Sequence, residues 1–207
     1  MNPGAPGSLS GGLYVAPSII ANTQTVTVTA TSNADRTKSA SAAVTLQPSA
    51  APPPPPPPPS AAIRIRAGDG GAYTDSQGRL WSADSGYSGS GGVFNTASAI
   101  SNTSDQPLYQ SERWTYPGAL QYDFQVPNGA YTVNLKFAEN YATGPGQRVF
   151  DVVINGQMCA AGYDIFARAG GAGMAVDQQC TGSSNGVISI QFLPVAGAPK
   201  INSIEIL

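Results

Sequence analysis

Pro127-Asn128-Gly129-Ala130-Tyr131-Thr132-Val133-Asn134-Leu135-Lys136-Phe137-Ala138-Glu139 is the stretch that decides the fold. Asn128-Gly129 is a tight-turn signal, and after it Tyr131, Val133, Leu135 and Phe137 alternate with polar Thr132, Asn134 and Lys136. Period-two alternation after such a turn is a strand with one buried face. Working outward, the same logic predicts strands at Ile63 to Ala67, Leu120 to Val126, Tyr131 to Glu139 and Val149 to Ile154. Further strands are expected at Gln157 to Ala160, Ala175 to Cys180, Val187 to Leu193 and Ile201 to Leu207, with turns at Asn155-Gly156 and Asn185-Gly186. Eight short strands with little helix imply an all-β fold, an antiparallel two-sheet sandwich of jelly-roll kind.

Composition agrees. Of 207 residues 41% are hydrophobic, enough for a normal core, while charged residues make up only 11% and Gly (24) and Pro (18) are abundant. That balance suits a β protein with many turns. The net charge of −2, without a run of Lys or Arg, gives nucleic acid and anionic lipid nothing to attract them, and no apolar run is long enough to insert into a membrane. Met1-Asn2-Pro3-Gly4 begins without a basic stretch or an apolar h-region, so the chain reads as a piece of a longer exported protein, extracellular or at the cell surface.

The first 48 residues differ from the rest. Val26 and Val28 alternate with Thr25, Thr27 and Thr29 inside Thr23 to Ser32, and after Asn33-Ala34-Asp35-Arg36 a second run covers Lys38 to Leu46. This predicts a β-hairpin. Gly12-Leu13-Tyr14-Val15-Ala16-Pro17 followed by these two runs resembles the C-terminal half of bacterial immunoglobulin-like repeats, so residues 1–48 are expected to be a partial immunoglobulin-like segment. A full sandwich of that kind takes about 100 residues. A hairpin by itself leaves edges and an apolar face open, so it is expected either to be disordered or to pair by strand addition with another chain or the rest of a repeat. The alternative function is a structural surface-assembly subunit, filament- or adhesin-like, completed by a neighbouring chain. Residues 49–62 contain eight consecutive prolines, Pro52 to Pro59, and are expected to form a polyproline II spacer of roughly 25 Å.

Five phrases repeat the turn-and-strand logic in a fixed order: Leu108-Tyr109-Gln110-Ser111-Glu112-Arg113-Trp114, Pro127 to Val133, Leu135 to Glu139, Gly146-Gln147-Arg148-Val149-Phe150-Asp151-Val152 and Ile154-Asn155-Gly156. Closed by Pro199-Lys200-Ile201-Asn202-Ser203-Ile204-Glu205-Ile206, they make residues 63–207 resemble the malectin family of carbohydrate-binding β-sandwich domains. The resemblance implies long loops at one end that carry the ligand. It implies a pocket built by aromatics after the second strand region, after the Glu-Arg pair and after the Phe-Ala-Glu strand, with an Asp ahead of Pro-Lys. Here those positions hold Tyr87, Trp114 and Tyr141, but Ala142 stands where a second aromatic belongs and Gly197 stands where the Asp belongs.

The residues support the same chemistry. Tyr87, Trp114, Tyr116 and Tyr141 fall in Gly-, Ser- and Thr-rich segments outside the alternating runs, where they are expected in loops. Flat aromatic rings cover the C–H face of a sugar, and nearby carboxylates and amides, Asp84 and Asn140, accept or donate to its hydroxyls. The ligand-binding set is therefore Tyr87, Trp114, Tyr141, Tyr116, Asp84 and Asn140, the ligand an oligo- or polysaccharide of glucan or related type. Histidine is absent, which removes Ser-His-Asp and Cys-His catalysis and the commonest metal ligand. Paired carboxylates could hydrolyse glycosides, yet of Asp84, Asp105, Glu112, Glu139 and Asp151, Glu112 and Asp151 have ready structural roles and nothing forces two of the set together, so no enzyme or cofactor is expected, and a structural Ca²⁺ is left open but not indicated. Cys159 and Cys180 lie on segments that should neighbour each other, either as two buried thiols or, the reading preferred, as a disulfide.

Overall fold

The computed structural model describes residues 6–17, 19–48 and 62–207. The polyproline expectation lies outside these residues. The chain divides into two units, Met1–Pro56 and Pro57–Leu207.

In the first unit, β1 (Ser8–Ser10) pairs antiparallel with β2 (Leu13–Val15), and β3 (Gln24–Thr31) with β4 (Ser39–Leu46). The register sets Val26 opposite Val44 and Val28 opposite Ala42. The turn between them is tied locally. Ser32 Oγ accepts from the backbone N–H of Ala34 and Asp35, and Asp35 Oδ1 accepts from that of Thr37. Among the described residues no third strand joins either pair. The hairpin lies where the alternation placed it, while the immunoglobulin-like reading of residues 1–48 remains a proposal.

The second unit runs β5 (Ile63–Arg66), β6 (Tyr73–Thr74), β7 (Leu80–Ala83), β8 (Tyr87–Ser88), β9 (Gly91–Asn95) and α1 (Pro107–Gln110). It continues through β10 (Ser111–Thr115), β11 (Leu120–Gln125), β12 (Gly129–Ala138), β13 (Val149–Ile154), β14 (Gln157–Tyr163) and α2 (Ile165–Ala169). Last come β15 (Ala175–Ser184), β16 (Val187–Ala196), β17 (Lys200–Ile201) and β18 (Ser203–Ile206). A five-stranded sheet has the order β14-β13-β16-β11-β8 and a six-stranded sheet the order β15-β12-β18-β5-β7-β6. The pairs are antiparallel except β5 with β7. A third, small sheet of order β17-β10-β9 carries the site described below.

The two large sheets close over one core because each offers one apolar face. Val133, Leu135 and Phe137 of β12, with Ile204 of β18, meet Leu120 and Tyr122 of β11, Phe150 and Val152 of β13 and Ile188, Ile190 and Phe192 of β16, all fully buried. Phe137 is the hub, its ring centroid 4.9 Å from Tyr163, 5.8 Å from Phe150 and 6.2 Å from Phe192. Each such side chain contributes roughly 1.5–3 kcal/mol by leaving water. Cys159 of β14 and Cys180 of β15 are joined by a disulfide, Cα atoms 5.7 Å apart. Since β14 and β15 are the edge strands of the two large sheets, this bond fastens the sandwich along one side.

Two expectations are corrected. The final strand, read as continuous from Ile201 to Leu207, breaks at Asn202 into β17 and β18, which belong to different sheets. Buried Asn202 holds the switch: its Nδ2 donates to the carbonyls of Tyr109 and Ser111, and its Oδ1 accepts from Ala138 N–H. The loops expected around Tyr87 and Trp114 are strands, β8 and β10. Their pairing is with backbone partners, and the faces they show are polar or aromatic, so no apolar alternation marks them.

Candidate functional site

Strand β10 alternates like any other, which sets Glu112 and Trp114 on one face. Across the small sheet Glu112 stands opposite Phe94, and Trp114 stands opposite Gly92 on one side and Lys200 on the other. A Cβ at Gly92 would lie 3.0 Å from Trp114 Cζ2 and 3.3 Å from Cε2. The missing side chain is what leaves room for the indole. Beyond the strand end Tyr116 is 65% exposed, and across the gap Tyr141 is 77% exposed.

These groups line a cleft of about 720 Å³ made by Val93, Phe94, Glu112, Trp114, Tyr116, Tyr141, Arg148 and Ala198. Tyr141 reaches it because Glu139 Oε1 accepts from the backbone N–H groups of Tyr141 and Ala142, at 3.0 and 2.9 Å, fixing the loop that leaves β12.

Beneath the aromatic walls lies a balanced set of four buried charges. Glu112 Oε2 accepts from Lys200 Nζ at 2.5 Å and from Asn140 Nδ2 at 3.0 Å, and Lys200 Nζ also donates to the Ala138 carbonyl. Arg148 Nε donates to Glu139 Oε2 at 2.8 Å and its Nη1 to the Ala198 carbonyl. Two cations meet two anions, which is how charges survive out of water. Burial pushes the Lys200 ammonium down, against the pull of Glu112 and Glu139. For Glu139 burial pushes up, but Lys200, Arg148 and the two backbone N–H groups outweigh it and hold the carboxyl below its ordinary value.

Of the six residues expected to bind ligand, the structure brings Trp114, Tyr116 and Tyr141 together around the cleft. Tyr87, Asp84 and Asn140 do not line it. The Arg113 guanidinium carbon sits 3.3 Å from the centroid of the Tyr87 ring, so one face of that ring is already covered. Asp84 accepts from Arg113 Nε at 2.5 Å, Tyr122 Oη at 2.8 Å and Gly68 N at 2.9 Å, three donors that engage both of its oxygens. Asn140 donates its Nδ2 to Glu112 and to the Tyr109 carbonyl, while its buried Oδ1 has no partner among the described residues. The sequence reading passed over Phe94, Val93, Arg148 and Ala198 and gave Glu112 only a structural role. Reading Ser111 to Thr115 as a strand would have put Glu112 beside Trp114.

Gly197 has φ +65°, and a Cβ there would lie 2.5 Å from the Gln147 carbonyl oxygen. The local backbone is built for glycine, so the acidic side chain that the family pattern has at this position has no room. A groove of about 800 Å³ beside the disulfide, lined by Gln157, Met158, Gln179, Thr181 and Ser183 among others, has no aromatic ring and hence no stacking surface. Among the described residues no group of three or more metal-ligating side chains converges.

Residues 61–204 match the model of the malectin domain. The chain belongs to the malectin domain family. That domain is a carbohydrate-binding fold of the non-catalytic kind. Malectin-A of Xenopus laevis is 44% identical over 71 residues, 34% of this chain and 25% of the relative. The extracellular domain of ANXUR2 from Arabidopsis thaliana superposes with a TM-score of 0.62 at 23% identity, over 70% of this chain and 47% of that one. A calcium-binding mutant of Bacteroides uniformis beta-glucuronidase 2 superposes with a TM-score of 0.63 at 18% identity, over 94% of this chain and 23% of that one. At these identities both structures show the fold alone. The malectin-domain chain spans a quarter or less of the curated relatives named malectin, including the human protein at 24%.

Proposed function

We propose that this chain is a binding module of an exported multidomain protein, capturing glucan-type or related polysaccharide at the cleft walled by Trp114, Tyr116 and Tyr141. The observation that carries this reading is the convergence of four aromatic side chains, Phe94 with Trp114, Tyr116 and Tyr141, the last two well exposed, over buried charges that are paired with one another. Exposed rings in a cleft are costly for packing alone and suited to the C–H face of a sugar. Capture by one such site is weak, because sugar hydroxyls must give up water, and several modules on one parent chain strengthen it through avidity.

The experiment is affinity electrophoresis of the protein through gels containing laminarin, pullulan or dextran. Retardation by at least one glucan is the expected result, and free migration through all three would overturn the glucan assignment. The N-terminal hairpin supports a second contribution, since both edges of the β3–β4 pair are unpaired among the described residues. Strand addition there would join copies of the chain. Light scattering of the full chain showing a strict monomer at high concentration would remove self-association.

A further inference from the structure

Glu112 is 1% exposed, and both hydrogen bonds that the protein makes to its carboxylate end on the same oxygen, Oε2. No group among the described residues bonds Oε1, although Glu112 lines the cleft together with Trp114, Tyr116 and Tyr141. Oε1 is not closed off from solvent as the orphaned Asn140 Oδ1 is, and other carboxylates of this domain are engaged by the protein at both oxygens. Asp84 and Asp75 each accept at both oxygens, as does Glu139. At Glu112 the open valence coincides with the cleft. The carboxylate is also immobile, because Lys200 and Asn140 grip the other oxygen and the strand pairing of β10 on both sides fixes the backbone.

We propose that Oε1 of Glu112 is the hydrogen-bond acceptor for the hydroxyls of a bound sugar, and that it restricts the cleft to neutral saccharides. This rests on the reading of the cleft as a carbohydrate site and deepens it. A pre-positioned carboxylate takes a hydroxyl hydrogen at little entropic cost, and a bond to a charged acceptor outranks one to a neutral acceptor. A sugar that brings an ionised carboxylate to this position has no hydrogen to donate to Oε1, and the Arg148 guanidinium that also lines the cleft is already engaged by Glu139 and the Ala198 carbonyl.

The test uses the full chain and isothermal titration calorimetry with whichever of laminarin, pullulan and dextran retards it, in native form and after oxidation of a fraction of the sugar units to carboxylates. The wild type should bind the oxidised form about tenfold more weakly than the native one, the size of a lost charge-assisted bond. Glu112→Gln should weaken native binding about tenfold and reduce the discrimination between the two forms. Trp114→Ala should weaken both forms alike. Equal binding of native and oxidised glucan by the wild type overturns the inference, whether or not Glu112→Gln folds. Native binding by a folded Glu112→Gln variant at wild-type strength, with discrimination intact, overturns it while leaving the carbohydrate site standing. Absence of binding to every native glucan overturns both.

Discussion

Removing the Trp114 ring should cost most of the affinity and little of the fold. The indole is half-buried at the cleft wall, and its backbone pairs with Gly92 and Lys200 are untouched by truncation. One indole face covers about 80 Å² of a stacked sugar, which at about 25 cal/mol per Å² contributes about 2 kcal/mol. Trp114→Ala should therefore weaken glucan binding about thirtyfold, enough to erase retardation of a site that is weak to begin with. Loss of the ring's partial burial should lower unfolding free energy by only about 1–2 kcal/mol. Affinity electrophoresis in laminarin, pullulan and dextran gels reads the first quantity, and urea unfolding followed by tryptophan fluorescence reads the second, with Trp81 in the core as the remaining reporter. A Trp114→Ala protein that unfolds at the wild-type urea concentration and is retarded as strongly as the wild type would refute the stacking argument.

Other parts of the structure make their own commitments. Gly197→Asp should not create a better site but destabilise the domain by at least about 1–2 kcal/mol, from the left-handed backbone and the approach to the Gln147 carbonyl; an unchanged urea midpoint would contradict this. Reducing the Cys159–Cys180 bond, which closes 21 residues, should cost about 3 kcal/mol by the chain-entropy relation, read as a drop in melting temperature with and without reductant. Stability should fall in acid. At Asp75 burial raises the carboxyl, but bonds from the Trp81 indole and from Arg79 and Gln77 hold it well below its ordinary value, and Glu139 and Glu205 are also depressed. The folded state keeps these groups ionised at lower pH than the unfolded chain does. Their contribution is then full above the unfolded values of about 4 and is lost as pH falls through the folded ones. Melting temperatures level between pH 5 and about 2 would refute it.

How much of this was legible in the sequence depends on where each residue finds its partners. Strand β12 announces itself because one face is buried along its length, so Val133, Leu135 and Phe137 recur at the strand period with polar residues between them. The same reasoning located the main strands of the two large sheets to within a few residues. It missed β9 and β10 because their shared face carries Gly92, Phe94, Glu112 and Trp114, chosen for a cleft rather than for a core. Lys200 shows the limit most clearly. A lysine with no exposed surface cannot be anticipated from its neighbours Pro199 and Ile201, since what neutralises it is Glu112, 88 positions away, together with Glu139. The aromatic candidates divide in the same way. Trp114, Tyr116 and Tyr141 were found by their composition-poor surroundings and meet at the cleft, whereas Tyr87 has the same local signature but loses a ring face to Arg113, which is itself held by Asp84. Local pattern identifies a ring that the core does not need. Whether both faces of that ring stay open to a ligand depends on a cation from another strand, and that pairing is set by sheet register, which no short window of sequence contains.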